Sequence, residues 1–293
     1  MRITTAVICA AGAGTRLLPA TKEQPKEMLP LFAPSAEGGM TLKPIVQLIF
    51  EQLYDAGIRD FCFVIGRTKR AISDHFTEDR GFLSDLEKTG NKRAIVDLAD
   101  FYRRLDDSNL TWVNQSRPIG FGHAVLRAKK VVGDSDFLVH AGDTYIVSKA
   151  HSHLQRLMRA FLNEGCEAAF LMKEMADVRQ RGVAEATKID KSLFLIQRVV
   201  EKPHRAPSNL AIEPVYIFTS CILDYLQRVR PGKAGEIQLT DAIQLLVEAG
   251  KKVLAVRLTA SDSRLDIGNP ENYWEALQES FRASQRPIKA GKS

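Results

Sequence analysis

The chain has 293 residues, 45% of them hydrophobic and 26% charged, an ordinary balance for a packed soluble protein that excludes wholesale disorder. No run of 18 apolar residues exists, so no transmembrane helix is predicted. The formal charge of +6, from 41 basic against 35 acidic residues, favours anionic partners. The basic residues form no long block and carry no zinc-finger, RNA-recognition or helix-turn-helix signature, so nucleic acid is not expected. A general basic surface is the plain explanation of the charge, and phosphorylated small molecules are the sharper one.

The first apolar run, Ile3 to Ala11, passes into Gly12-Ala13-Gly14 with no cleavage-site pattern. It reads as a buried strand rather than a secretory signal, and a cytoplasmic protein is expected. Strands are predicted at Thr4 to Cys9, Phe61 to Ile65, Leu110 to Asn114 and Phe137 to His140. Between the first two, Ile45, Leu48, Ile49, Leu53 and Ala56 recur at helical spacing, with Pro44 suited to the first turn and Gly57 to the stop. A segment rich in small and turn residues, Ala33 to Thr41, reads as a mobile loop or insertion. Residues from about Phe82 to Leu105 read as a charged helical excursion, and a further helix is predicted from about Gly122 to Val131.

In the second half strands are predicted at Ala168 to Met172, Phe194 to Val200, Val215 to Phe218 and Val253 to Val256. An amphipathic helix follows Thr240, with Ala242, Ile243, Leu246 and Val247 on one side and Gly250 at its end. Strand–helix–strand alternation implies an α/β fold with a doubly wound, mostly parallel, Rossmann-like mixed sheet flanked by helices. With no repeat and no linker, one domain over 1–285 is expected: a nucleotide-binding half at 1–140, a second half at 141–285, and a flexible tail at 286–293. The four cysteines, Cys9, Cys62, Cys166 and Cys221, have no C-x-x-C spacing and read as core thiols.

The strongest local signal follows the first strand: Ala10-Ala11-Gly12-Ala13-Gly14-Thr15-Arg16-Leu17-Leu18-Pro19. Glycines let backbone N–H groups approach a phosphate closely, and successive amides form an anion-binding concavity. A Walker loop needs Gly-Lys-Ser/Thr after four spacers, and a dinucleotide fingerprint needs a third glycine where Leu17 stands; both fail. The loop carries Arg16 instead, and Lys26 follows within Pro25-Lys26-Glu27-Met28-Leu29-Pro30. Arginine offers phosphate a bidentate fork and lysine a point charge. Taken alone, Gly12 and Gly14 are equally explained by a tight turn.

The stretch from Ala10 to Pro30 resembles the signature of bacterial and archaeal UTP–glucose-1-phosphate uridylyltransferases and, less closely, that of the related thymidylyltransferases. The resemblance continues through Gly120-Phe121-Gly122-His123-Ala124-Val125, Glu201-Lys202-Pro203, Gly235-Glu236-Ile237-Gln238-Leu239-Thr240-Asp241-Ala242-Ile243 and Asp266-Ile267-Gly268-Asn269-Pro270. It implies the glycosyltransferase-A-like nucleotidyltransferase fold, UTP and glucose 1-phosphate as substrates, Mg2+ as cofactor and, by analogy, a homo-oligomer. In such a reaction a sugar-phosphate oxygen, already an anion, attacks the α-phosphorus in line, so no strong base is needed. The difficulty is bringing two polyanions together, where positioning is worth about 7–11 kcal/mol.

By the resemblance, Ala11, Gly12, Gly14, Thr15 and Arg16 hold the triphosphate, Arg16 near the departing pyrophosphate, and Lys26 neutralises the reacting phosphates. Gln115 and Gly120 meet the pyrimidine, while His123 packs or bonds at a helix start. Asp143, just past a predicted strand where open α/β sheets bind ligands, pairs with Asp266 as the magnesium site. Gly182 and Glu201 lie near the sugar, and Lys202 pairs with its phosphate. Arg16, Lys26, Asp143 and Lys202 are the expected catalytic set. The chain departs from the family pattern in having Gly142 where a proline is usual before the aspartate, Arg181 in place of a tyrosine before Gly182, and the extra segment Ala33 to Thr41 near the expected entrance. Thymidylyl transfer, the same chemistry on another sugar 1-phosphate, and a non-catalytic nucleotide-sugar-binding regulator stay open as alternatives.

Overall fold

The structure, a computed structural model, describes residues 3–232 and 235–285, so the expected tail at 286–293 lies outside the described residues. In the first half the strands are β1 (Thr5–Ala10), β2 (Pro30–Pro34), β3 (Met40–Pro44), β4 (Asp60–Ile65), β5 (Asn109–Asn114), β6 (Phe137–Ala141) and β7 (Thr144–Val147). The second half adds β8 (Ala168–Glu174), β9 (Gly182–Lys188), β10 (Leu193–Glu201), β11 (Leu210–Phe218), β12 (Val253–Arg257) and β13 (Ser263–Asp266). The helices are α1 (Ile45–Asp55), α2 (Arg70–His75), α3 (Arg80–Lys88), α4 (Lys92–Asp106) and α5 (Phe121–Arg127). They continue with α6 (Lys129–Val132), α7 (Ser152–Glu164), α8 (Ile222–Arg228), α9 (Leu239–Glu248) and α10 (Pro270–Ser284). No helix of the described residues is long and apolar enough to cross a membrane.

Nine strands form one sheet in the order β5-β4-β1-β6-β11-β8-β12-β10-β9. β1 is parallel to β4 and β6, and β4 to β5, which is the doubly wound arrangement expected. The second half is mixed: β11 runs antiparallel to β6 and β8, and β10 antiparallel to β12 and β9, while β12 is parallel to β8. Successive residues of β1 enter opposite cores. Ala6, Ile8 and Ala10 join the side packed by α1, α7 and α10, and Val7 and Cys9 join the side packed by α5, α8 and α9. Burial on both faces is why this strand reads as an unbroken apolar run rather than an alternating one.

The ends of the helices follow local chemistry. Gly57, at φ 99°, closes α1 by donating its N–H to the Tyr54 carbonyl. The Asn269 side chain caps α10 by accepting from the Asn272 amide at 2.8 Å, with Pro270 as the first helical residue.

Two local expectations are revised. Ala33 to Thr41 is not loop throughout: its ends, Ala33 with Pro34 and Met40 with Thr41, are strand. β2 and β3 pair as a hairpin, with Ala33 opposite Thr41, and only Ser35 to Gly39 form the tip, fastened to α4 where Ser35 and Ala36 donate to Asp97. Small turn residues mark the tip, while the flanking backbone finds a partner strand that composition alone does not reveal. The helix predicted from Gly122 to Val131 divides at Ala128 into α5 and α6.

Candidate active site

The glycine loop leaves the carboxyl end of β1 between its parallel neighbours. Gly14 has φ 68°, which glycine adopts without strain, and its carbonyl accepts from the Thr21 hydroxyl at 2.8 Å. A side chain at Gly12 would meet the Lys26 Cε and Nζ at 3.6 Å, so that amine lies directly over the loop.

Lys26 begins a single 3-10 turn, and its amine forms an ion pair with Asp143. Burial opposes both charges, but each outweighs that cost for the other. Lys26, also facing Glu27, is held above its ordinary pKa, and Asp143, also facing Arg264, is held below its own. The turn that carries Lys26 is pinned from below by a pair the sequence reading did not single out. Glu27, 1% exposed, accepts from Lys69, 3% exposed, at 2.7 Å. Gly142 explains the missing proline. Its N–H donates to the Cys9 carbonyl at 2.9 Å, and an added Cβ would stand 3.1 Å from that oxygen and 3.3 Å from the Glu27 Cγ.

Asp143 follows β6 as expected, and β7 then pairs with β13 so that Thr144 lies opposite Asp266. The Ile267 amide donates to the Asp143 carbonyl at 3.2 Å. Two aspartates far apart in sequence thus occupy neighbouring positions on one ribbon. Asp266 accepts from the Gly268 amide at 2.9 Å, Arg264 at 3.0 Å and Asn272 at 3.1 Å. Arg264 also lies 2.6 Å from Glu213, which is fully buried on β11. Arg264 and Glu213 are likewise absent from the sequence-based set. Arg264 and Asp266 are two apart on one strand and so share a face, which is the signal that would have linked them.

At the other end of the cleft Gln115 follows β5. Its side-chain amide lies 3.1 Å from the Gly120 carbonyl and 2.9 Å from the His123 ring, so His123 bonds at the helix start as expected. Gly120 has φ 113°, and a Cβ there would fall 2.4 Å from the Ile237 carbonyl oxygen. The Gly122 amide donates to that same oxygen at 2.9 Å, so two motifs separated in sequence interlock through backbone. Gly182 and Glu201 are paired where β9 begins and β10 ends, and the Thr240 hydroxyl donates to Glu201 at 2.8 Å. Lys202 follows at φ 41°, with its amine 3.6 Å from Glu201.

All thirteen residues expected from sequence line one open cleft of about 690 Å3. Ala33 to Thr41 are not among the residues that line it. The nucleotidyl transferase family model matches residues 5–282.

The chain belongs to the nucleotidyl transferase family.

Among its relatives is a putative UTP–glucose-1-phosphate uridylyltransferase of Methanocaldococcus jannaschii, 36% identical over 94% of this chain and 92% of that protein. A UTP–glucose-1-phosphate uridylyltransferase of Bacillus subtilis is 34% identical over 95% of this chain and 89% of its own length. Of solved structures, a UDP-glucose pyrophosphorylase complexed with UDP-glucose superposes with a TM-score of 0.81 at 30% identity, covering 96% of this chain and 99% of that one. A UTP-bound enzyme of the same kind from Acinetobacter baumannii gives 0.79 at 29% identity, covering 95% and 93%. Arg16, Lys26 and Lys202 line the cleft together with the carboxylates of Asp143 and Asp266. Carboxylate oxygens completed by phosphate oxygens and water suit a divalent cation. Asp143 is held by the Lys26 amine and, at 3.5 Å, by the Thr144 hydroxyl, whereas Asp266 is bonded to a guanidinium and two amides.

Proposed function

We propose that this nucleotidyltransferase transfers the uridylyl group of UTP to glucose 1-phosphate, giving UDP-glucose and pyrophosphate. A phosphate oxygen of the sugar phosphate bonds to the α-phosphorus, the bond from that phosphorus to the bridging oxygen of the β-phosphate breaks, and pyrophosphate leaves with the electron pair. The observation that carries this reading is the convergence of Arg16, Lys26, Lys202 and two carboxylates on one cleft, in a chain whose relatives bear that activity in their names.

Residues 1–140 supply the nucleotide end of one domain over 1–285. Ala11, Gly12, Gly14, Thr15 and Arg16 cradle the triphosphate, and Gln115 and Gly120 receive the uracil. Residues 141–285 supply the sugar-phosphate end, where Gly182 lies beside the hexose, Glu201 accepts from its hydroxyls and Lys202 meets its phosphate. Asp143 and Asp266 would hold Mg2+, which when bound neutralises charge between the reacting phosphates. Lys26 stabilises the charge that grows on the phosphates during transfer, and Arg16 that on the departing pyrophosphate. The same likeness supports a cytoplasmic homo-oligomer, which sedimentation would test.

The deciding experiment measures pyrophosphate release across UTP, dTTP, ATP, GTP and CTP with several sugar 1-phosphates and Mg2+. UTP with glucose 1-phosphate should give the highest kcat/KM. A higher value with dTTP would select thymidylyl transfer, and no release with any pair would leave a binding protein.

A further inference from the structure

Arg181 is the residue in the cleft whose chemistry is least accounted for. It stands where the β9–β10 ladder ends, one position beyond the Gly182–Glu201 pair, and its carbonyl accepts from the Lys202 amide at 3.0 Å. The two cations therefore project from facing positions of adjoining strands, at the mouth of the pocket bounded by Gly182 and Glu201. The Arg181 side chain is 21% exposed yet donates no hydrogen bond among the described residues. Its nearest acid, Asp266, is 3.8 Å away and is already engaged by Arg264, Asn272 and the Gly268 amide. Of the two carboxylates in this cluster, Glu213 and Asp266, both are held by Arg264 at closer range.

A largely desolvated guanidinium with an empty fork is costly unless a ligand completes it. Lys202 likewise donates no side-chain hydrogen bond among the described residues, with its nearest carboxylate, Glu201, 3.6 Å away. Its side chain is 50% exposed, and it holds a left-handed backbone conformation that non-glycine residues rarely adopt.

We propose that Arg181 and Lys202 form a two-sided clamp for the phosphoryl group of the sugar 1-phosphate, with Arg181 the member that the family's usual tyrosine does not provide. This rests on the proposed function. The guanidinium fork grips two phosphate oxygens, the ammonium takes a third, and the group is held between Glu201 on the sugar side and Asp266 on the side of the reacting phosphates.

The test uses the full chain with Arg181→Gln, Arg181→Tyr and Arg181→Lys. It measures initial rates with UTP and each sugar 1-phosphate, calorimetric binding of glucose 1-phosphate, and thermal melting. Losing a charge-assisted contact should weaken sugar-phosphate binding and raise its KM on the order of 10–100-fold. KM for UTP should change less than threefold, with partial recovery in Arg181→Lys and none in Arg181→Tyr. Unchanged sugar-phosphate affinity, or an equal loss for both substrates, overturns the clamp even if melting falls, because Arg181 would then serve only the Asp266–Glu213 cluster. Should the wild type turn over a different sugar 1-phosphate, the same comparison on that sugar decides the clamp while the glucose assignment falls. Should it neither bind nor use any, both readings fall.

Discussion

Replacing Lys69 with methionine removes one charge from beneath the catalytic turn and leaves a side chain of similar volume. Glu27, only 1% exposed, then keeps a carboxylate with no counter-charge at hydrogen-bond distance. Breaking a buried pair from one side typically costs about 3–5 kcal/mol. An unfolding entropy of about 2.1 cal/mol/K per residue gives roughly 0.6 kcal/mol/K for a chain of this size, so Tm should fall by about 5–8 °C. Burial already raises the Glu27 carboxyl above its ordinary range even against Lys69 and Lys26. In the variant a proton can therefore replace the lost partner, and the deficit should shrink as pH falls and grow as pH rises through the raised pKa.

Urea unfolding followed by circular dichroism, run from pH 5 to 8 on Lys69→Met, Glu27→Gln and the double variant, measures both the cost and its pH slope. The double variant should lose much less than the two single costs added together. Strict additivity, or a single-variant cost below about 1 kcal/mol, would refute the claim that this pair anchors the turn. Because Lys26 adjoins Glu27, kcat should drop in both single variants at temperatures where the protein is fully folded.

Gly120→Ala should cost more than the roughly 1–3 kcal/mol of an unfavourable φ, because the new Cβ would lie 2.4 Å from the Ile237 oxygen; melting and KM for UTP report it together. Asp143→Asn should lower kcat by more than about a hundredfold while near-ultraviolet circular dichroism stays native, and full turnover with Mg2+ would remove Asp143 from the metal site. His140, fully buried, is depressed to about 4 by burial, so it enters the fold neutral. Its contribution is complete above the unfolded pKa near 6.5 and is lost as pH falls toward 4, worth about 3 kcal/mol by that point. Denaturant midpoints measured from pH 7 to 4 should fall less steeply in His140→Asn, and an identical slope would contradict this.

Much of the architecture was legible because it depends on local rules. The apolar run of β1 can only be a strand buried on both faces. Gly12 and Gly14 beside Arg16 marked a turn after that strand, with an anion-binding loop and a plain tight turn explaining the glycines equally well. Ile45 to Ala56 carries its helical period and its Gly57 stop in plain view. The phosphate-transfer site was legible only through the resemblance of five motifs, in order, to uridylyltransferases, since each motif alone has a plain structural explanation.

What stayed hidden depends on pairing. A buried strand has the same composition whether its neighbour runs parallel or antiparallel, so the insertion of β11 between β6 and β8 left no mark in periodicity. The hairpin at Ala33–Thr41 looked like a loop because its hydrogen bonds are made to another strand. Nor does a lone glutamate or lysine announce that it is buried. Glu27, Lys69, Glu213 and Arg264 resemble surface charges until the fold encloses them beside opposite charges from distant segments. Asp143 was identifiable as an acid past a predicted strand and Asp266 by resemblance alone, and their adjacency comes from the β7–β13 ribbon, a contact between remote parts of the chain that no local preference encodes.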